Sequence, residues 1–138
     1  MRLIVLASRN FDNMLTIEDI DIAIKKLKLK PTVIVCTDNE GPEELGAVWA
    51  EEYGVPVDPK EAKWDLVEGC KTVKTNKWGK KYNYMAGFER NQAMVDSADA
   101  VLIFWDIDSP SVTDIITRAK KKDIPIHYIK PNPEYFLE

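Results

Sequence analysis

Ala86-Gly-Phe-Glu-Arg-Asn-Gln-Ala-Met-Val-Asp-Ser-Ala-Asp-Ala-Val-Leu-Ile-Phe-Trp-Asp106 is the stretch whose reading decides the fold. Its end, Val101–Trp105, is a continuous apolar run, too short for a buried helix and rich in β-branched and aromatic residues. Such a run, closed by an acid, predicts a central strand covered on both faces. Ahead of it, Phe88, Asn91 or Gln92, and Val95 fall on helical spacing. Behind it, Asp106-Ile-Asp-Ser-Pro-Ser111 is a polar turn that opens onto a further helix. A helix feeding a buried parallel strand, whose carboxyl end meets a new helix N-terminus, makes half of a ligand crevice.

Working outward, Leu3–Ala7 and Thr32–Cys36 carry the same buried-strand pattern. Thr16 is placed to cap a helix with Ile17, Ile20, Ile24 and Leu27 on one face. Pro42, Glu43 and Glu44 suit the first turn of a second helix, whose stripe is Leu45, Val48 and Trp49. Val55–Val57 predicts a short strand, placed near a sheet edge by Pro56. Val112–Lys122 predicts a last helix and Pro125–Ile129 a last strand. Strands alternating with helices through short links give an α/β fold. The expectation is one Rossmann-like three-layer domain over residues 1–138, with a mostly parallel sheet of about five strands.

Residues 59–84 interrupt this rhythm with Lys60, Lys63, Lys71, Lys74, Lys77, Lys80 and Lys81 among Trp64, Trp78, Tyr82 and Tyr84. No helical period persists, so an irregular insertion is expected, and insertions this long are usually functional or mobile.

Composition narrows the class. The 45% hydrophobic and 30% charged content is that of an ordinary globular chain. A formal charge of −4 argues against wholesale nucleic-acid binding, which shows as a basic excess. No apolar run approaches the roughly 18 residues of a membrane span. Cys36 and Cys70 have no metal-site spacing and form no disulfide framework, so a reducing cytoplasm is the expected setting.

The chain has four arginines, and two of them, Arg9 and Arg90, fall beside the expected crevice. A planar guanidinium fork suits phosphate or carboxylate, which points to an anionic ligand. The competing reading pairs Arg90 with Glu89, Asp96 or Asp99. Ser109 and Ser111 offer hydroxyls at the last helix mouth, where simple N-capping is the alternative.

Several blocks resemble one family. Ala7-Ser-Arg-Asn-Phe11, Gly41-Pro-Glu-Glu-Leu-Gly-Ala-Val-Trp-Ala50, Gly54-Val-Pro-Val57, Ala62-Lys-Trp64, Gly87-Phe-Glu-Arg-Asn-Gln-Ala-Met94 and Ala98–Trp105 stand in the register of the YspA/YpsA-like branch of the SLOG superfamily. That superfamily is Rossmann-like and includes the LOG and DprA proteins. The resemblance implies a nucleotide-type ligand, a homodimer, and Ser8, Arg9, Arg90 and Asn91 as binding positions. Departures accompany it. The family's glycine-rich turn is Cys36-Thr-Asp-Asn-Glu40 here, Ile107 stands for a glycine, and Ser111-Val112 replaces Gly-Thr. Side chains in place of those glycines crowd the approach of backbone amides to a phosphate. This argues against LOG-type N-glycoside hydrolysis.

The expected ligand set is therefore Ser8, Arg9, Arg90, Asn91, Asp106, Ser109 and Ser111, with Trp64 or Trp78 stacking on a base. The function expected is a sensor or sequestering protein for a nucleotide or nucleotide derivative, without a resident cofactor or metal. A LOG-like N-glycosidase or nucleotide hydrolase, with Glu40, Glu89 or Asp106 as acid or base, is the first alternative. A homodimeric interaction module with a decayed pocket is the second. Asp38 with Glu40, or Asp106 with Asp108, are acid pairs that loops commonly leave solvated. His127, in the last strand, and Cys36, at a strand exit, read as structural residues.

Overall fold

The computed structural model describes residues 1–7, 16–37, 45–63, 73–83, 85–104 and 110–129, with the side chains of 110 and 111 not among them. In chain order the elements are β1 (Arg2–Ala7), α1 (Ile17–Lys26), β2 (Val33–Thr37), α2 (Leu45–Glu52), β3 (Val57–Lys60), β4 (Val73–Thr75) and β5 (Lys81–Asn83). There follow α3 (Ala86–Asp96), β6 (Ala100–Phe104), α4 (Pro110–Lys122) and β7 (Ile126–Ile129). Five strands form one sheet in the order β3-β2-β1-β6-β7, and every pairing in it is parallel.

The apolar runs explain the layering. All five residues of β6 are buried, because both faces of this central strand are covered. Leu3, Ile34, Leu102 and Phe104 pack against Ile20, Ile24 and Trp49 of α1 and α2. Ile4, Val35, Val101 and Ile103 pack on the other side with Met94 and Val95 of α3 and Ile115 and Ala119 of α4. The result is a helix–sheet–helix sandwich, the Rossmann-like arrangement that the strand and helix pattern predicts. From β1 the chain winds outward to β2 and β3. It then crosses the opposite face through α3 and enters β6 on the other side of β1. Strand order reverses between β1 and β6, with Ala7 opposite Phe104 at their carboxyl ends. That pair of exits is the switch point of the sheet.

Local chemistry sets the helices. Thr16 caps α1 in a capping box: its hydroxyl accepts from the Asp19 amide at 3.2 Å, and the Asp19 carboxylate accepts from the Thr16 amide at 3.0 Å. α2 lies tight against β1, since a Cβ added at Gly46 would stand 2.9 Å from Val5 Cβ. The buried face of α3 includes Asn91 and Val95 as expected, and departs from the expectation only at Phe88. Ala86, Asn91, Met94 and Val95 are buried, whereas Phe88 is 41% exposed.

Two strand bounds also differ. β3 starts at Val57 and runs to Lys60, so Pro59 lies within it, which an edge strand tolerates because one side needs no amide donor. Within the lysine-rich insertion, β4 and β5 form an antiparallel hairpin, with Val73 opposite Asn83 and Thr75 opposite Lys81. A chain-local hairpin escapes a search for helical period, because its strands are only three residues long.

The ends of the sheet are held by specific polar contacts. Arg2 donates through Nε to the Ser97 carbonyl at the end of α3, and its Nη2 pairs with Asp58 on β3. The Arg2 amide donates to Asp99 at 2.8 Å. Lys122, at the end of α4, donates to the Val95 and Asp96 carbonyls at 3.2 and 2.6 Å. The carboxyl ends of α3 and α4 therefore sit at the amino edge of the sheet. Both helix N-termini lie at the carboxyl edge, beside the switch point.

Candidate functional site

α3 carries two of the expected site residues, Arg90 and Asn91, near its middle. Its first turn follows β5 directly: Asn83, which is buried, accepts from the Met85 amide at 3.2 Å and donates to Glu89 at 3.5 Å. Met85, the residue before the helix, gives no side-chain cap. Arg90 and Asn91 follow one turn later.

Asn91 is 2% exposed. Its Nδ2 donates to Asp114 Oδ2 of α4 at 3.0 Å. Asp114 also accepts from Arg118 Nε at 2.8 Å, and Arg118 Nη1 donates to Gln92 Oε1 at 2.9 Å. This four-residue network joins α3 to α4. It also fixes the Asn91 amide, because a flipped amide would turn oxygen against a carboxylate that has no proton to give. The correctly oriented Oδ1 is buried and has no hydrogen-bond partner.

Arg90 has the complementary feature. Its Nε is buried and likewise without a hydrogen-bond partner. The acids that would neutralise it are engaged elsewhere. Asp96 accepts from Gln92 at 2.9 Å and pairs with Lys122 at 3.9 Å. Asp99 holds the Arg2 amide at 2.8 Å, and Glu89 takes Asn83. Among the described residues, no ion pair joins Arg90 to Glu89, Asp96 or Asp99. Buried polar groups without partners carry a cost of about 1–3 kcal/mol each, and they cluster where a ligand completes the set. The two groups stand on successive residues of α3, whose side chains point about 100° apart, so each is an unmet group in its own right.

Ser8, Arg9, Trp64, Asp106, Ser109 and the Ser111 side chain lie outside the described residues, as do Asp38, Glu40, Asp108 and Cys70. Trp78 stands in the β4–β5 turn and is 78% exposed. His127 on β7 is opposite Leu102, and Cys36 is buried in β2. Among the described residues no group of three or more His, Cys, Asp and Glu is placed to hold a metal ion. Among them, too, no helix is long and apolar enough to cross a membrane.

Sequence reasoning missed the Asp114–Arg118 half of the network. Its i,i+4 spacing is a visible signal, but the link to Asn91 depends on how α3 and α4 pack.

Fold and site together define a doubly wound, parallel α/β domain with two unsatisfied polar groups on the helix that leads into its central strand β6. No protein-family model matches this chain, and no curated protein is similar to it.

Proposed function

We propose that this domain binds a nucleotide or nucleotide-derived small molecule at the carboxyl edge of the sheet, as a sensor or sequestering protein. The observation that carries the reading is Arg90, a guanidinium whose buried Nε has no partner; the Oδ1 of Asn91, the following residue of α3, is likewise unpartnered. Arginine suits the anionic part of such a ligand, and the Asn91 oxygen suits a ribose hydroxyl or a base N–H. The blocks that resemble those of SLOG proteins point to the same ligand class, with Ser8, Arg9, Asp106, Ser109 and Ser111 as further contacts. The exposed Ile22, Val48 and Tyr53 of the α1–α2 layer support self-association into a homodimer, which sedimentation velocity would test.

A thermal-shift panel of nucleoside mono- and diphosphates, cyclic dinucleotides and ADP-ribose tests the reading. A ligand at a hundredfold excess over Kd stabilises the native state by about 2.7 kcal/mol, a rise in Tm of roughly 10 °C for a chain of this size. Arg90→Ala should abolish that rise while the variant stays folded, and Arg90→Lys should restore it only in part. No shift with any member of the panel removes the reading. Release of free base from nucleoside monophosphates would replace it with the hydrolase.

A further inference from the structure

The β4–β5 hairpin lies outside the five-stranded sheet and outside the site just described. Residues 73–83 hold four lysines, Lys74, Lys77, Lys80 and Lys81, and no acid, in a chain whose formal charge is −4. The tip is a built turn. Asn76 Oδ1 accepts from the Trp78 amide at 2.9 Å and from the Lys80 amide at 3.0 Å. The Asn76 amide donates to the Lys80 carbonyl at 2.9 Å, and Gly79, at φ 81°, closes the loop in a conformation that suits glycine. This turn displays Trp78, the most exposed large hydrophobic residue among the described residues. Lys77 Nζ lies 4.5 Å from the centroid of the Trp78 ring, a cation–π contact that occupies one face. One step down the ladder Lys74 stands opposite Tyr82, so a second cation and ring share a face of the hairpin.

Displaying a tryptophan in water gains nothing for folding, and two strands of three residues are marginal on their own. The features fit a contact surface. An anionic partner is set by the lysines, and flat unsaturated groups are set by the rings. Anionic lipid would match the charge, but its insertion calls for several apolar residues at the tip. Here Trp78 is flanked by Lys77 and Gly79, with Asn76 and Lys80 beyond them. Alternating cations and single rings is instead the pattern that takes a phosphodiester backbone in a basic track while bases stack on aromatic faces.

We infer that the β4–β5 hairpin is a contact element for single-stranded nucleic acid. Trp78 stacks on one base, Tyr82 lines the neighbouring position, and Lys77 beside the Trp78 ring meets the backbone. The overall negative charge of the chain confines the contact to this hairpin and keeps duplex binding weak.

Fluorescence anisotropy with labelled twenty-residue oligothymidylate and oligouridylate, titrated with the full chain at low salt, tests this. Saturable binding that weakens steeply with added salt is expected, and the matching duplex should bind at least tenfold more weakly. The ratio of the two single strands tells DNA from RNA. Trp78→Ala should weaken binding about tenfold to a hundredfold, the range for losing one stacking ring. Lys77→Glu should also weaken it and lower the salt dependence. Trp78 is exposed, so unchanged Tm values should accompany both losses. No binding to either strand, equal binding to duplex, or affinity unaffected by Trp78→Ala would each overturn the inference. So would cosedimentation with phosphatidylserine vesicles in the absence of oligonucleotide binding.

Discussion

Asn91 offers the sharpest test of the idea that the protein carries an unmet polar group for a ligand. Replacing it with leucine removes the hydrogen bond to Asp114, and a bond to a charged acceptor is worth about 1.5–3 kcal/mol. The loss is softened because Asp114 keeps Arg118 at 2.8 Å. The same substitution removes the buried Oδ1 that has no partner, which relieves about 1–3 kcal/mol. Leucine is close to asparagine in shape, so little cavity results. The expected net change for Asn91→Leu is within about 1 kcal/mol of zero, an unusual outcome for a buried asparagine at a helix–helix contact. Asn91→Ala also loses the bond but leaves a void, and should be less stable than Asn91→Leu by roughly 2 kcal/mol. Asn91→Asp sets a buried carboxylate against Asp114 and should cost about 3 kcal/mol or more. Urea unfolding of the three variants, with the m-value checked for constancy, reads all three numbers. If Asn91→Leu proved as damaging as Asn91→Asp, Oδ1 would have a native partner and the argument from an orphaned acceptor would be refuted. If it held its stability and lost the nucleotide-induced shift, the cost of Oδ1 would be tied to binding.

Two further expectations concern the scaffold. Gly46→Ala should destabilise by about 1–3 kcal/mol, although alanine in a helix normally gains about 1 kcal/mol over glycine, because its Cβ would meet Val5 Cβ at 2.9 Å. A gain in urea unfolding would mean that α2 lifts from β1 freely. Burial raises the Asp58 carboxyl, but the hydrogen bonds and charges of Lys60 and Arg2 outweigh it and hold the group below its ordinary value of 3.8. The unfolded chain thus binds the proton first, so this contribution is complete above about pH 4 and is lost as pH falls through the lowered native value. Asp58→Asn should flatten the acid limb of stability against pH, and an unchanged limb would show that Asp58 is not held down in the native state.

Much of the architecture was readable because it rests on local pattern. Val101–Trp105 predicts a strand buried on both faces, and β6 is that strand one residue earlier, with every described side chain buried. Thr16 with Asp19 marks the start of α1, since a capping box needs only residues three apart. The hairpin and the Pro59 strand were not readable. Three-residue strands carry too few positions for a period, and an edge strand gains its identity from its neighbour.

The site divides along the same line. That Arg90 and Asn91 would sit together near a helix start follows from sequence, because adjacent residues on a helix stay adjacent. Whether Arg90 is free does not. Glu89, Asp96 and Asp99 all lie within nine residues of it, and local spacing favours any of them as a partner. Glu89 is engaged locally by Asn83, but the other two engagements are set by residues far along the chain. Asp99 is claimed by the amide of Arg2, across the paired strands β1 and β6. Asp96 is flanked by Lys122 from the end of α4. The unpartnered Nε of Arg90 is therefore a product of tertiary packing, which commits Asp96 and Asp99 at the amino edge of the sheet. That division of labour leaves two carboxylates committed at the carboxyl end of α3 and an unmet guanidinium Nε in the middle of the same helix.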